Sequence, residues 1–204
     1  MNASTTSESY RMLADDSMTE LQKKRCLTRE DWLAKALDVL AEDGIAAVRI
    51  EPLADALAVT KGSFYWHFTD RDELLACLLE YWETKHTERL ADLAADHSGD
   101  PSRELLTLLE LVTTLDENRY DASVRAWARC DPRAAAHLER VDQKRLVYMR
   151  GLLLEMGFSE EEADLRSRWS HCYMIGECSV LGVAPSNDQR LDFARRSHRM
   201  LTAP

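Results

Sequence analysis

The spacing of helix start and stop signals between Thr28 and Leu75 constrains this chain more than any other feature. Thr28-Arg29-Glu30-Asp31 is a capping-box pattern, with an acid three residues after the cap. Trp32, Leu33, Ala36, Leu37 and Leu40 then recur on one helical face, and Gly44 is placed to stop the helix. The next element has to be short. A helix over about Ile50–Leu57 fits Pro52 in its first turn. Ala58-Val59-Thr60 makes a tight turn, and Thr60 is a cap for a third helix, Lys61–His67, with Phe64 and Phe68 facing inward. A helix, a short helix, a three-residue turn and a third helix form the helix-turn-helix arrangement, in which the third element reads DNA. That element is chemically dense: Lys61, Ser63, Tyr65, Trp66 and His67 carry polar tips, and Gly62 leaves room for close approach.

The remainder reads as helix throughout. Asp70 caps a long helix to about Asp96, roughly 39 Å at 1.5 Å per residue. Further helices are expected at 101–115, 120–129, 132–156, 159–181 and 188–201, punctuated by Asp131-Pro132, Met156-Gly157 and the stretch from Gly182 to Asn187. The whole chain has seven glycines and five prolines in 204 residues and no segment with a strand period, so the fold class is all-α. The predicted organisation is an N-terminal arm (1–27), a three-helix helix-turn-helix unit (28–72) and a larger helical unit (73–204). The arm ends in Lys23-Lys24-Arg25, with a short helix expected near Met18–Lys24.

Composition removes several classes. No apolar run approaches the length of a membrane span, and residues 1–17 lack the apolar stretch of a secretory signal. Five scattered cysteines without a C-x-x-C pair suit a reducing compartment, so a cytoplasmic location is expected. The net charge of −10 argues against general polyanion binding, and residues 28–75 hold ten acids against five bases. DNA binding therefore requires local placement: Arg49, Lys61 and Arg71 flank the reader, while Glu30, Asp31, Asp38, Glu42 and Asp43 belong to the first helix and its end.

Gly44-Ile45, the run from Leu53 to Leu57, and Thr60-Lys61-Gly62-Ser63-Phe64-Tyr65-Trp66-His67-Phe68, followed by Arg71 and Glu73-Leu74-Leu75, resemble the TetR-type transcriptional regulators. The resemblance covers about 28–75. It implies a DNA-binding head and a C-terminal unit for effector binding and dimerisation. Carried over, Thr60, Lys61, Ser63, Tyr65 and His67 touch DNA, with Tyr65 and His67 at phosphates. Arg71 takes the place of a phosphate-contacting lysine. Two departures stand out. Ala58 replaces the usual turn glycine, and Arg49 stands where a capping Thr is common, exchanging a cap for a phosphate contact. The partners so implied are a near-palindromic double-stranded operator, a small-molecule effector and a second copy of the chain.

For the C-terminal unit, Trp82, Trp127 and Tyr148 are candidates for an effector cavity. The dimer is expected through the last two helices, by Leu165, Trp169, Cys172 and Gly176 on one and by Leu191, Ala194, His198 and Leu201 on the other. No catalytic residue, metal or cofactor is assigned. Glu83-x-x-His86 is half of a di-iron pattern, but a second half is absent, and no P-loop, G-x-S-x-G or H-E-x-x-H occurs. A helical enzyme or ligand carrier, or a protein-interaction module using Tyr65 and Trp66, are the alternatives at this level.

Overall fold

Thr28 starts the first helix in the way its sequence dictates. In the computed structural model, which describes residues 27–95, 99–114, 118–180 and 186–203, the Asp31 amide donates to the Thr28 hydroxyl at 3.2 Å and the Thr28 amide donates to the Asp31 carboxylate at 2.7 Å. This closes the box on α1 (Arg29–Asp43). Gly44, at φ +78°, ends it with its amide on the Leu40 carbonyl. α2 (Ile50–Ala56) begins after Arg49, which occupies the cap position and makes no capping bond with its side chain. Ala58 then adopts φ +55°. The Ala58 amide returns to the Asp55 carbonyl at 3.1 Å and the Val59 amide to the Ala54 carbonyl at 3.0 Å, the double closure of a Schellman motif.

The third helix is shorter than expected. α3 covers Lys61–Phe64, and residues 65–67 form a turn in which the His67 and Phe68 amides both donate to the Phe64 carbonyl, at 2.9 and 3.0 Å. Two buried rings require this. Phe64 and Phe68 stack at 5.2 Å, and Phe64 meets Trp32 edge-on at 5.4 Å, so the chain must turn back into Thr69 and the Asp70 cap. The expected Thr60 cap is also corrected: its side chain makes no capping bond.

The long helix expected from Asp70 runs without a gap to Ala95, the last residue described before Gly99, but it is not α-helical throughout. α4 (Arg71–Glu83) passes into a π-helical turn, Thr84–Glu88, and then α5 (Arg89–Ala95). Side chains distant in sequence hold the π-helical turn. Arg145 donates to the His86 carbonyl at 3.4 Å and the Thr87 hydroxyl at 3.0 Å, and Lys144 holds Glu83 and Glu88 at 2.7 Å each. α6 (Pro101–Thr114), α7 (Asn118–Ala128), α8 (Pro132–Glu155), α9 (Glu160–Val180) and α10 (Asn187–Thr202) complete the chain close to their expected bounds. All regular elements among the described residues are helical, and no helix there is long and apolar enough to cross a membrane. The arm with Lys23-Lys24-Arg25 and its expected helix lie outside the described residues.

Two apolar cores result. The first joins Trp32, Leu53, Phe64, Phe68, Leu78 and Trp82 of the head helices and α4 to Val124, Trp127, Ala134 and Val141 of α7 and α8. The second lies further along α8, where Met149, Leu152 and Leu153 meet Leu105, Leu109, Ala163, Ala194 and Leu201.

Candidate functional site

The turn after α3 stands on a solid base. Phe64 and Phe68 are buried, and this leaves Tyr65 and Trp66 outward, 54% and 88% exposed. Burying one ring of an aromatic pair and leaving the next in water is a local conflict that function commonly explains. Arg49, Thr60 and Lys61 are exposed, while Ser63 and His67 are half-buried. The Lys61 ammonium rests on Glu51, an exposed pair that a phosphate or base edge can replace at little cost.

Arg71, expected at a phosphate, is engaged within the chain. It is half-buried, with Nε donating to the Val48 carbonyl at 2.6 Å and one Nη to the Ile45 carbonyl at 2.9 Å. It braces the loop between α1 and α2. The Ile45 carbonyl also accepts from the Val48 amide at 3.3 Å, so Arg71 adds a second donor there and satisfies the Val48 carbonyl.

A cavity of about 310 Å³ lies between the two cores, beside the π-helical turn. Its apolar wall comes from Leu90, Leu108, Val112, Met149, Met174 and Ile175. Of the three residues expected there, Tyr148 lines it; Trp82 and Trp127 do not, and this is a correction. Both tryptophans are buried in the first core, because their helices turn that stripe toward the head.

Sequence reasoning missed the polar wall. Arg145 grips Asp121 with two bonds, 2.6 and 3.0 Å, and lies 5.6 Å from the Trp82 ring centre. Asp121 is 3.6 Å from Arg125, which is bidentate to Asp142 at 2.9 and 2.6 Å, and His171 Nε2 lies 3.1 Å from Asp142. Burial pushes the Asp142 carboxyl up, but the His171 and Arg125 bonds outweigh it and hold it well below the usual range. Glu83, likewise opposed by burial, is held low by Lys144 and His137, which use both of its oxygens. Glu83 of the Glu83-x-x-His86 pattern is thus tied to α8. Among the described residues no group of three or more His, Cys, Asp or Glu is arranged to hold a metal. The available signal was Arg145, which falls on the apolar stripe of α8 between Val141 and Met149.

The dimer residues divide. On α9, Leu165 and Trp169 are 63% and 48% exposed and Cys172 is exposed, while Gly176 is half-buried. On α10 the stripe Leu191, Ala194, His198 and Leu201 faces α6 within the monomer, a correction: Ala194 and Leu201 are buried, and His198 contacts the Ser102 carbonyl at 2.7 Å. Phe193 and Met200 point outward instead, and the Trp169, Tyr173 and Phe193 rings stack in sequence at 6.0 and 4.7 Å.

Residues 33–78 match the domain described as bacterial regulatory proteins, tetR family. The HTH-type transcriptional regulator AcrR of Shigella flexneri is 32% identical over 94 residues, 45% of this chain and 44% of that protein, so the match spans under half the length of this curated relative. The fold is shared with solved structures of low identity. A transcriptional regulator from Rhodococcus sp. Rha1 superposes with TM-score 0.66 at 19% identity, over 86% of this chain and 94% of that one. One from Aquifex aeolicus VF5 does so with TM-score 0.67 at 16% identity, over 85% and 98%.

Proposed function

We propose that this chain, whose residues 33–78 match the domain described as bacterial regulatory proteins, tetR family, is a DNA-binding transcriptional repressor released by a small molecule. The observation that carries this reading is the reader turn: Tyr65 and Trp66 held outward beside Lys61 and Thr60, on rings packed against Trp32. The α3 segment enters the major groove, where Lys61 reaches guanine O6 and N7, and Arg49, Tyr65 and His67 hold the backbone. Two chains pair through the exposed α9 and α10 face around Leu165, Trp169, Phe193 and Met200. Two readers then meet a near-palindromic operator, with centres about 34–36 Å or a multiple apart. Residues 28–72 serve DNA, and 73–204 serve the effector and the second copy. The effector occupies the cavity. Its polar wall, through Arg145 and Lys144, holds the π-helical turn that continues α4, so a ligand that shifts those bonds biases the head.

Selection of bound sequences from random DNA with the purified chain tests this. A near-palindrome is expected, with affinity falling steeply with salt. Lys61→Ala should cost about 1–3 kcal/mol on that site alone, with unfolding unchanged. Arg71→Ala should instead cost about 2 kcal/mol of stability through its two carbonyl bonds. Failure to retain any sequence, or Lys61→Ala and Tyr65→Ala both leaving affinity intact, overturns the reading.

A further inference from the structure

The charges around the cavity select a class of ligand, once the cavity is taken as the effector site proposed above. Both strongly basic side chains on its wall already have acids. Lys144 has Glu83 and Glu88 at 2.7 Å, and Arg145 has both oxygens of Asp121. An anionic ligand would have to displace a carboxylate to reach either one. The end formed by α5, α6 and the second half of α8 is the reverse. There the Tyr148 hydroxyl donates to Glu104, with the Ala91 carbonyl also in reach at 3.2 Å, and Asp92 stands on the rim. Glu155 is seven residues beyond Tyr148, two turns further along the same face of α8. Among the described residues Asp92, Glu104 and Glu155 make no salt bridge, whereas Glu83, Glu88, Asp121 and Asp142 all do. Of Asp92, Glu104 and Glu155 only Asp92 lines the cavity, while Glu104 stands behind the Tyr148 hydroxyl and Glu155 is exposed outside the wall; the cavity is therefore balanced at one end and short of a cation at the other, with apolar wall between.

We propose that the cavity binds an apolar molecule bearing one protonated amine, with its body against Leu108, Met149 and Met174 and its ammonium at the Tyr148, Glu104 and Asp92 end. The Tyr148 oxygen has lone pairs to accept from the ammonium, and the Glu104 carboxylate behind it supplies the opposite charge. Burial, then Glu104 and Asp92, push the Tyr148 hydroxyl far up, so it stays neutral; the negative potential that opposes a phenolate favours a cation.

Calorimetric titration of the full chain with decylammonium, decanol and decanoate separates the head groups on one apolar body. Decylammonium should bind tightest, by about tenfold over decanol, with decanoate weakest. Glu104→Gln keeps an acceptor for Tyr148 and should lower the preference for amine over alcohol about fivefold. Asp92→Asn, at the exposed rim, should lower it about twofold. Decanol binding should be unchanged in both, which also shows that the cavity is intact. Decanoate binding as tightly as decylammonium, an unchanged preference in both variants, or no binding of any of the three overturns the proposal. Retention of the selected operator, measured on the same preparation, keeps the two readings apart. DNA binding without amine preference overturns the ligand assignment alone, and amine preference without DNA binding overturns the regulator reading alone.

Discussion

The head and the body of this protein solve burial in opposite ways. The head core is closed and apolar: Trp32, Leu53, Phe64 and Phe68 are at most 2% exposed and contact one another through ring and aliphatic surfaces. Every buried charged or polar side chain among the described residues lies at or beyond the end of α4, namely Glu83, Asp121, Ser167, Ser170 and His171. The body also contains the cavity, walled in part by those groups. A dense apolar core has one good packing and resists partial change. Charged groups with more than one available partner, beside empty volume, can exchange partners at lower cost. Under the proposed function the difference is a division of labour: the rigid part presents the DNA-reading turn, and the part with polar seams and space supplies two states.

Removing Asp121 is the severest way to break this contrast. Asp121→Ala leaves Arg145 without its bidentate partner in a largely buried place and should cost about 3–5 kcal/mol in denaturant unfolding. A loss below about 1 kcal/mol would mean that water already reaches the pair, and that the body is less dependent on its polar seams than its geometry indicates.

Acid should act on the two regions in order. The Asp142 carboxyl is held low in the folded chain by His171 and Arg125. Its contribution is therefore complete above its unfolded value, about 3.9, and is lost as pH falls from there toward the folded value. Amides of α7 to α9 should lose hydrogen-exchange protection below about pH 4 before those of α1, and Asp142→Asn should flatten that pH dependence. Simultaneous loss in both regions would break the comparison.

The smallest effect sharpens the head. Ala58 holds a left-handed conformation that costs a non-glycine residue about 1–2 kcal/mol. Glycine removes that strain and adds freedom to the unfolded chain, worth about 0.5–1 kcal/mol in the other direction. Ala58→Gly should therefore stabilise by under about 1 kcal/mol, visible as a small rise in melting temperature. A fall would show that the Schellman turn gains from the alanine methyl group in packing.

The head was legible because its signals act over a few residues. The Thr28 box, Gly44, Pro52 and the spacing of Phe64 and Phe68 each fix their own turn. The exposed reader residues Arg49, Thr60, Lys61, Tyr65 and Trp66 result from which faces the rings bury. The hold of Arg71 on the Ile45 and Val48 carbonyls was not legible, because they are 26 and 23 residues away. In the body the same limit governs more of the outcome. Trp82 and Trp127 have the composition of a ligand wall but face the head core, and the α10 stripe expected to meet a second chain packs on α6.

By itself the sequence determined the helical class, the bounds of most helices and the inward-facing Phe64 and Phe68, since caps, breakers and apolar period are properties of neighbouring residues. Tertiary structure alone decided where the long helix opens into a π-turn, which α10 face stays in water and which charges enclose the cavity. Each of these depends on contacts such as Arg145 with Thr87, 58 residues apart, or His198 with Ser102, 96 apart. Such contacts form only once the helices are docked, because a side chain's direction on its own helix does not specify what packs against it.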